Sequence, residues 1–217
     1  MKLLIVRPQP GADATAARVN AAGHMAVCLP LFATEPVAWD LPNVDDFDGL
    51  LLTSANALRH IADKLPMLTC LPLFAVGQNS ADYARRMGFD VRHVGSAGIE
   101  SLLEKIEARR LLWLAGEDRT FFVQPPTMHI DCRIVYRSAA LPVSNDFSQK
   151  LMEVDYVLLH SARAASHFTS LVEDVQFQKN RISIAALSEK IAQAAGSGWA
   201  SVRIAKEPTD NDLLSQL

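Results

Sequence analysis

Two stretches of the chain share one pattern: DGLLLTSANALRHI over residues 48–61 and DYVLLHSARAASHF over residues 155–168. In both, Asp is followed by one residue, three hydrophobic residues, a polar residue, Ser, Ala and a helix-like segment that ends in His and an apolar residue. Such an apolar run is typical of a buried strand, and a Ser after it is a preferred first cap of a helix. The chain therefore carries one strand-turn-helix unit twice.

Three further pairs of segments match in the same order. KLLIVRP at residues 2–8 resembles RLLWLAG at 110–116, LFAVGQNSADYARRMGF at 73–89 resembles SIAALSEKIAQAAGSGW at 183–199, and AGIESLLEKI at 97–106 resembles PTDNDLLSQL at 208–217. The offset is 107 positions from Ser54 to Ser161 and 111 positions from Ala97 to Pro208. A slowly drifting offset near half the chain length indicates two copies of one small domain.

Short apolar runs alternate with helix-like stretches along the whole chain. The predicted strands are Leu3–Val6, Gly49–Leu52, Leu73–Val76, Leu111–Leu114, Tyr156–Leu159 and Ile182–Ala186, and the predicted helices include Ala12–Ala22, Ala55–Leu65 and Ala81–Met87. Continuous apolar strands suit parallel sheets that helices cover on both faces. The sequence therefore predicts the α/β class, with two similar lobes that each contain a parallel sheet flanked by helices.

The boundary between the lobes is predicted from two extended segments that lack a following helix. AVCLPLFATEPVAW follows the second strand, and its counterpart RIVYRSAALPV ends at Pro142. The simplest interpretation is that both segments cross between the lobes as a paired linker. One lobe would then contain residues 1–34 and 141–217, and the other residues 35–140. Two continuous halves are the alternative.

Composition excludes several classes of function. The formal net charge is −3, which argues against a nucleic-acid-binding protein or a polybasic membrane anchor. No apolar stretch approaches the roughly 20 residues that span a bilayer. The N-terminal MKLLIVRPQP is a poor signal peptide, and three scattered cysteines suit a reducing compartment. We therefore expect a cytoplasmic protein.

Candidate ligand contacts follow the predicted strands, because ligands of parallel α/β sheets bind beyond the carboxyl ends of the strands. The segments 7–11, 53–56, 77–80, 116–120, 160–163 and 187–189 lie there, and they are rich in hydroxyl, amide and cationic side chains. Helix N-termini at such positions attract carboxylates and phosphates. The predicted anion-binding residues are Arg7, Thr53, Ser54, Asn56, Gln78, Ser80, Arg119, Ser161 and Ser188. For any single serine among them, a helix cap is the simpler interpretation.

Several familiar motifs are missing from the sequence. It contains no GxxxxGK[ST] phosphate loop, no GxGxxG dinucleotide turn, no HExxH and no paired Cys/His spacing, so we expect neither a cofactor nor a metal. His60 and His167 recur in the two copies and fall well along a helix, which favours structural roles. His160 lies at a strand end and is the histidine of greatest interest. Tyr136, in RIVYRSAAL, lies at the end of a strand, where an ordinary half-buried aromatic residue is the usual interpretation.

The ordered set of motifs resembles uroporphyrinogen-III synthase. LLIVRPQPGADATAARVNAAGHMAVCLPLF, GLLLTSANALRHI, FAVGQNSADYARRMGF and VYRS followed by DYVLLHSARAASHF carry the resemblance over nearly the whole chain. It implies two flavodoxin-like lobes that are joined by a two-stranded linker and enclose a cleft. It also implies a cyclising lyase without a cofactor, which closes hydroxymethylbilane with inversion of the last pyrrole ring. By the same resemblance, Tyr136 points into the cleft as the proton donor.

The substrate that the resemblance implies is a flexible polyanion. The protein's own net charge cannot attract such a molecule, so local donors must bind it, and two facing copies would offer donors on both sides. A monomer that receives its substrate from hydroxymethylbilane synthase is expected. The chain departs from the family at residues 187–190, at Ala115 and at Pro125–Pro126, where a helix is expected to be cut short. A two-lobe protein that binds an anionic ligand and an inactive relative of the synthase are the alternatives.

Overall fold

The computed structural model describes residues 1–96, 98–119 and 121–217, and its internal contacts divide the chain into two compact units. Unit 1 comprises Met1–Ala33 and Ala139–Leu217, and unit 2 comprises Thr34–Ser138. The strands are β1 (Lys2–Ile5), β2 (Met25–Cys28), β3 (Phe32–Pro36), β4 (Gly49–Leu52), β5 (Leu73–Val76), β6 (Val91–Gly95), β7 (Arg110–Gly116), β8 (His129–Ala140), β9 (Tyr156–Leu159), β10 (Ser183–Ala186) and β11 (Ser201–Ile204). The helices are α1 (Gly11–Ala21), α2 (Ala55–Arg59), α3 (Leu65–Leu68), α4 (Gln78–Arg86), α5 (Ile99–Leu103), α6 (Phe147–Met152), α7 (Ala162–Asp174), α8 (Glu189–Ala195) and α9 (Asp210–Ser215).

Unit 1 contains a five-stranded parallel sheet with the order β11-β10-β9-β1-β2. Leu3, Leu4 and Ile5 of β1 are fully buried, because helices pack on both faces of the sheet. Leu3 and Ile5 pack with residues of α1 and α9, whereas Leu4 packs with residues of α6, α7 and α8. Coverage of both faces explains why β1 is apolar at successive positions instead of alternate ones.

Unit 2 contains a six-stranded sheet with the order β3-β8-β7-β4-β5-β6. The strands from β8 to β6 run parallel to their neighbours. Leu50 and Leu52 of β4 pack with residues of α2, α3 and α4 on one face, and Leu51 packs with residues of α5 on the other. The chain passes between the two units within β3 and within β8.

The α/β class with parallel sheets is confirmed, and the predicted strands at residues 49–52, 73–76 and 156–159 have the observed bounds. The prediction of one helix over Ala55–Leu65 is wrong. Helix α2 ends at Arg59, and α3 begins at Leu65 with Pro66 in its first turn. Proline suits a helix start, which explains why a new helix begins at this point; Pro66 lies outside the predicted range, so it does not explain why α2 ends at Arg59.

The connection between β7 and β8 also differs from its prediction. In residues 117–119 and 121–128 the structure contains no helix, not even the shortened one that was expected. Pro125 and Pro126 lack backbone N–H groups, so two consecutive positions of this segment cannot donate helical hydrogen bonds. Across the described ranges, no helix combines the length and the apolar character that crossing a bilayer requires.

Candidate active site

A cavity of about 430 Å³ opens at the carboxyl ends of the strands of unit 2. Residues of β5, β7 and β8 and of the segments that follow β4, β6 and β7 surround it, which is the usual position of a ligand in a parallel sheet. The described lining consists of Thr53, Ser54, Val76, Gly98, Ile99, Glu100, Trp113, Gly116, Asp118, Arg119, Phe121, Phe122 and Tyr136. Thr53, Ser54, Arg119 and Tyr136 among them are residues that the sequence predicted. Thr120, which the sequence placed in the same loop, lies outside the described residues.

A second depression, of about 450 Å³, lies at the opposite end of the same sheet and is more open to solvent. Asp48 and Ala108, which line it, come just before β4 and β7. The amino ends of parallel strands lack the converging helix N-termini that bind anions. The cavity around Tyr136 is therefore the better candidate for an active site.

Backbone pairing and a missing side chain fix the position of Tyr136. Its β8 backbone pairs with Gly116 of β7, next to a change of register, and its carbonyl accepts a 2.9 Å hydrogen bond from the Glu117 N–H. A Cβ atom on Gly116 would lie 2.6 Å from Cζ and 2.8 Å from Oη of Tyr136. Only glycine at position 116 lets the phenol ring lie this close to β7.

Aromatic rings and one cation surround the rest of the cavity. Trp113 Nε1 donates to Thr53 Oγ1 at 3.3 Å, so the Thr53 hydroxyl keeps its own proton for donation. The Arg119 guanidinium carbon lies 6.0 Å from the Trp113 ring centroid and 5.3 Å from that of Phe121. Phe121 is 84% exposed, so a large apolar surface faces solvent at the rim. The rings and Arg119 suit a ligand that combines aromatic rings with a carboxylate, which has to bind near Arg119 because Glu100 and Asp118 in the same lining repel anions.

The remaining predicted residues of unit 2 differ in their positions. Ser54 caps α2 by accepting a 3.2 Å hydrogen bond from the Asn56 N–H, and Asn56 Oδ1 accepts from the Arg59 guanidinium. Gln78 Nε2 donates to Asp82 Oδ1 at 2.7 Å. The expectation that Ser80 caps its helix is wrong, because Gly77, with a φ of 84°, is the cap and Ser80 lies inside the first turn. None of Asn56, Gln78 and Ser80 is in the described lining of the cavity.

Unit 1 carries a charged cluster at the corresponding end of its own sheet. Asp210, at the start of α9, accepts hydrogen bonds from Thr15 at 2.8 Å and Arg18 at 3.0 Å and contacts His160 Nε2 at 2.9 Å. Arg7, which follows β1, donates to Thr15 Oγ1 and lies 3.7 Å from Asp210. Burial alone would raise the pKa of Asp210, but hydrogen bonds from His160 and Thr15 outweigh it and lower the pKa to about 2. The cluster holds Arg7 at the strand end, where the sequence predicted it.

The predicted residues of the other two turns of unit 1 are also at helix starts. Ser161 accepts a 3.2 Å hydrogen bond from the Ala164 N–H and caps α7. Ser188 has the extended backbone of a cap for α8, but its side chain makes no cap hydrogen bond. The His160 side chain is 4% exposed, and its Nδ1 is buried without a hydrogen-bond partner. Across the described ranges, no group of three His, Cys, Asp or Glu side chains could hold a metal ion.

Residues 13–215 match the profile of a family described as uroporphyrinogen-III synthase HemD. The chain belongs to the uroporphyrinogen-III synthase family. Its fold is similar to that of uroporphyrinogen-III synthetase from Helicobacter pylori 26695, with 16% identity, a TM-score of 0.68 and coverage of 99% of this chain and 96% of that one. A mutant uroporphyrinogen III synthase from the extremely thermophilic bacterium Thermus thermophilus has the same identity and coverage with a TM-score of 0.54. No curated protein sequence matches significantly.

Several residues around the candidate site of this uroporphyrinogen-III synthase family member were not predicted from the sequence. Trp113 and Phe122 line the cavity, and His60 stacks on Tyr136. Asp210 organises the charged cluster of unit 1, although it lies 50 positions from His160. The sequence did show that His60 and His167 recur in the two copies. This recurrence indicated a repeat, but it did not indicate which aromatic ring each histidine contacts.

Proposed function

We propose that this chain closes hydroxymethylbilane to uroporphyrinogen III at the cavity of unit 2, with Tyr136 as the proton donor. Members of the family are cyclising lyases of haem biosynthesis, and the family match disfavours a protein that only binds an anionic ligand. The single observation that supports the site is that Tyr136 lies in one cavity with Thr53, Ser54 and Arg119. These side chains supply a phenol beside donors for carboxylates.

The proposed reaction begins with loss of hydroxide from the terminal hydroxymethyl group. Hydroxide is a poor leaving group, and a phenol that is protonated at neutral pH can transfer a proton to it, so that water departs. The electrophilic methylene carbon left behind then bonds to the substituted carbon of the last pyrrole ring, which gives a spiro intermediate. The bond from that ring carbon to its original methylene bridge breaks, and the bridge carbon bonds to the unsubstituted carbon of the same ring, which is thereby inverted. The proton that Tyr136 gives away is balanced by the proton that the last ring loses at its unsubstituted carbon on ring closure.

Binding is proposed to rest on local donors, since the formal net charge of −3 repels a polyanion. Arg119 can form charge-assisted hydrogen bonds with a substrate carboxylate, and the Thr53 and Ser54 hydroxyls can donate to others. Arg7 and Ser161 are the corresponding candidates in unit 1. Ser188, Asn56, Gln78 and Ser80 stay predictions, and the last three are not in the described lining of the cavity. Holding a flexible tetrapyrrole in a folded conformation can supply much of the rate acceleration.

The wider organisation of the enzyme is proposed as well. We place the working lobes at residues 1–34 with 141–217 and at residues 35–140, which the two compact units support. We also propose that the chain acts as a cytoplasmic monomer and without a cofactor; for the last point, the sequence contains none of the familiar nucleotide and metal motifs. Transient hand-over from hydroxymethylbilane synthase would shorten the time that the unstable substrate spends free in solution.

The test supplies hydroxymethylbilane to the purified protein and separates the type I and type III products. Wild-type protein should give the type III isomer, and product formation no faster than without protein would show an inactive relative. We expect Tyr136→Phe to lower kcat roughly 10- to 1,000-fold, with type III still formed because substrate folding is intact. Tyr83→Phe and Tyr156→Phe are matched controls, since the chain has three tyrosines and these two lie outside the described lining. A Tyr136→Phe variant with wild-type kcat would remove the phenol from the mechanism.

A further inference from the structure

His60 contacts Tyr136 without being part of the described lining of the cavity. Its imidazole stacks on the phenol ring, with centroids 5.9 Å apart and an angle of 22° between the planes. His60 Nε2 lies 2.9 Å from Thr34 Oγ1, within hydrogen-bond distance. The imidazole is therefore anchored to β3 at one nitrogen while its face lies along the ring of Tyr136.

A second contact restricts the same phenol ring. The backbone of Gly116 approaches Tyr136 so closely that a Cβ there would be 2.6 Å from Cζ. Packing against Gly116 and His60 therefore restricts the movement of this ring. A proton donor must lie within hydrogen-bond reach of the departing oxygen, so restricting the ring bears directly on proton transfer.

The ionisation of His60 is compatible with a role in holding the Tyr136 ring. Burial, followed by the nearby charge of Arg59, lowers the pKa of His60 below its usual value. The imidazole is therefore neutral at neutral pH and packs on the phenol without placing a charge beside it. A cation in that position would favour phenolate, which cannot donate the proton.

We infer that His60 is a positioning residue, which holds the Tyr136 ring in the orientation for proton transfer. This inference rests on the proposed function, because it gives His60 a role only if Tyr136 is the acid. The two recurring histidines then differ in role, because His60 positions the proton donor whereas His167 only packs in its own unit.

The internal repeat supplies a matched control. His167 occupies the position in unit 1 that corresponds to His60, 107 residues further along the chain. Its ring lies 5.1 Å from that of Phe32 at an angle of 54°, so it also makes an imidazole–aromatic contact. His167→Ala removes such a contact without touching Tyr136, and it reports the cost of losing a packed histidine in this fold.

The experiment measures kcat, KM, product isomer and melting temperature for His60→Ala, His60→Phe and His167→Ala. We expect His60→Ala to lower kcat roughly 3- to 10-fold, with little change in KM, because one aromatic contact of the acid is lost. His60→Phe should restore most of kcat, because it retains a ring against Tyr136. His167→Ala should lower the melting temperature at an unchanged kcat.

A double-mutant cycle separates positioning from general destabilisation. In a Tyr136→Phe background the acid is absent, so adding His60→Ala should cause almost no further loss of kcat. Equal additive losses in both backgrounds, or the same kcat loss in His167→Ala, would overturn the inference. If His60→Ala does not fold, Thr34→Val, which removes only the anchor, should still lower kcat roughly twofold to threefold, and an unchanged kcat would count against the inference.

These measurements distinguish the role of Tyr136 as the acid from the role of His60 in positioning it. A Tyr136→Phe variant with wild-type kcat would remove the proposed acid, and the role of His60 would fall with it. A large loss in Tyr136→Phe together with wild-type kcat in His60→Ala would leave the acid in place and overturn the positioning role alone.

Discussion

Gly116→Ala is the substitution that tests the site geometry most directly. Gly116 does not have the positive φ that makes glycine necessary for the backbone, so alanine suits the local conformation. The added methyl group would instead lie 2.6 Å from Cζ, 2.8 Å from Oη and 2.9 Å from Cε2 of Tyr136. The substitution therefore acts on the phenol ring.

The expected magnitude follows from these distances. Carbon atoms in ordinary contact are about 3.5–4.0 Å apart, so the phenol ring must retreat by about 1 Å. A misplacement of about 1 Å can cost on the order of 100-fold in rate, and kcat should fall on the order of 10- to 100-fold. Overpacking should also lower the free energy of unfolding by about 1–3 kcal/mol. The assay is therefore done under conditions in which the variant is folded.

Gly49→Ala controls for overpacking in the same sheet. A Cβ on Gly49 would meet Phe74 Cε2 at the same distance of 2.6 Å, but Gly49 begins β4, at the end of the sheet away from the cavity. Gly49→Ala should lower the melting temperature and leave kcat near the wild-type value. Both variants are assayed with hydroxymethylbilane at a temperature where circular dichroism shows them folded. A folded Gly116→Ala variant with wild-type kcat would refute the claim that the position of Tyr136 matters.

Two further predictions concern unit 1 and the helix caps. The lowered pKa of Asp210, about 2, means that its ionised form stabilises the protein above pH 4 and that this stability is lost as the pH falls from about 4 through 2. Arg7 and Arg18 are partly exposed and therefore screened by solvent, so we expect Asp210→Asn to lower the free energy of unfolding by at most about 2 kcal/mol at pH 7. In urea unfolding, the free energy of unfolding of this variant should differ less between pH 7 and pH 3 than that of the wild type. Ser54→Ala and Ser161→Ala should each lower the free energy of unfolding by about 1 kcal/mol, because both hydroxyls cap helices. If those hydroxyls also hold carboxylates, KM should rise several-fold with kcat nearly unchanged, and unaltered kinetics would leave capping as their whole role.

The strands were predictable from the sequence because burial on both faces leaves an uninterrupted apolar signal. Leu50, Leu51 and Leu52 are each almost fully buried. A buried helix could share such an apolar run, but the short length of the run and the turn residues after it favour a strand. Helix ends were less predictable. Residues 55–65 are helix-like in composition, yet α2 ends at Arg59. The next residue is His60, and its ring lies within hydrogen-bond distance of Thr34, 26 positions earlier in the chain. Tertiary contacts of that kind override local propensity.

The candidate site was predictable in part for a similar reason. Turns after parallel strands always meet at one edge, so Thr53, Ser54 and Arg119 could be assigned to a common region. The contact of His60 with Tyr136 joins residues 76 positions apart, and spacing along the chain carries no information about it. The Gly116 contact likewise depends on the register of β7 against β8, which residue types alone do not specify.

The discontinuous order of unit 1 has a consequence for synthesis on the ribosome. β1 lies between β9 and β2, so the fully buried side chains of residues 3–6 need β9 as a neighbour. About 150 residues separate Val6 from Tyr156, and at roughly 5–20 residues per second β9 follows on the order of 10 to 30 s later. Unit 2 is continuous and can fold during that interval, while the nascent N-terminal segment keeps its apolar strand exposed. Residues 1–33 are therefore the segment for which a chaperone that binds nascent chains would matter most.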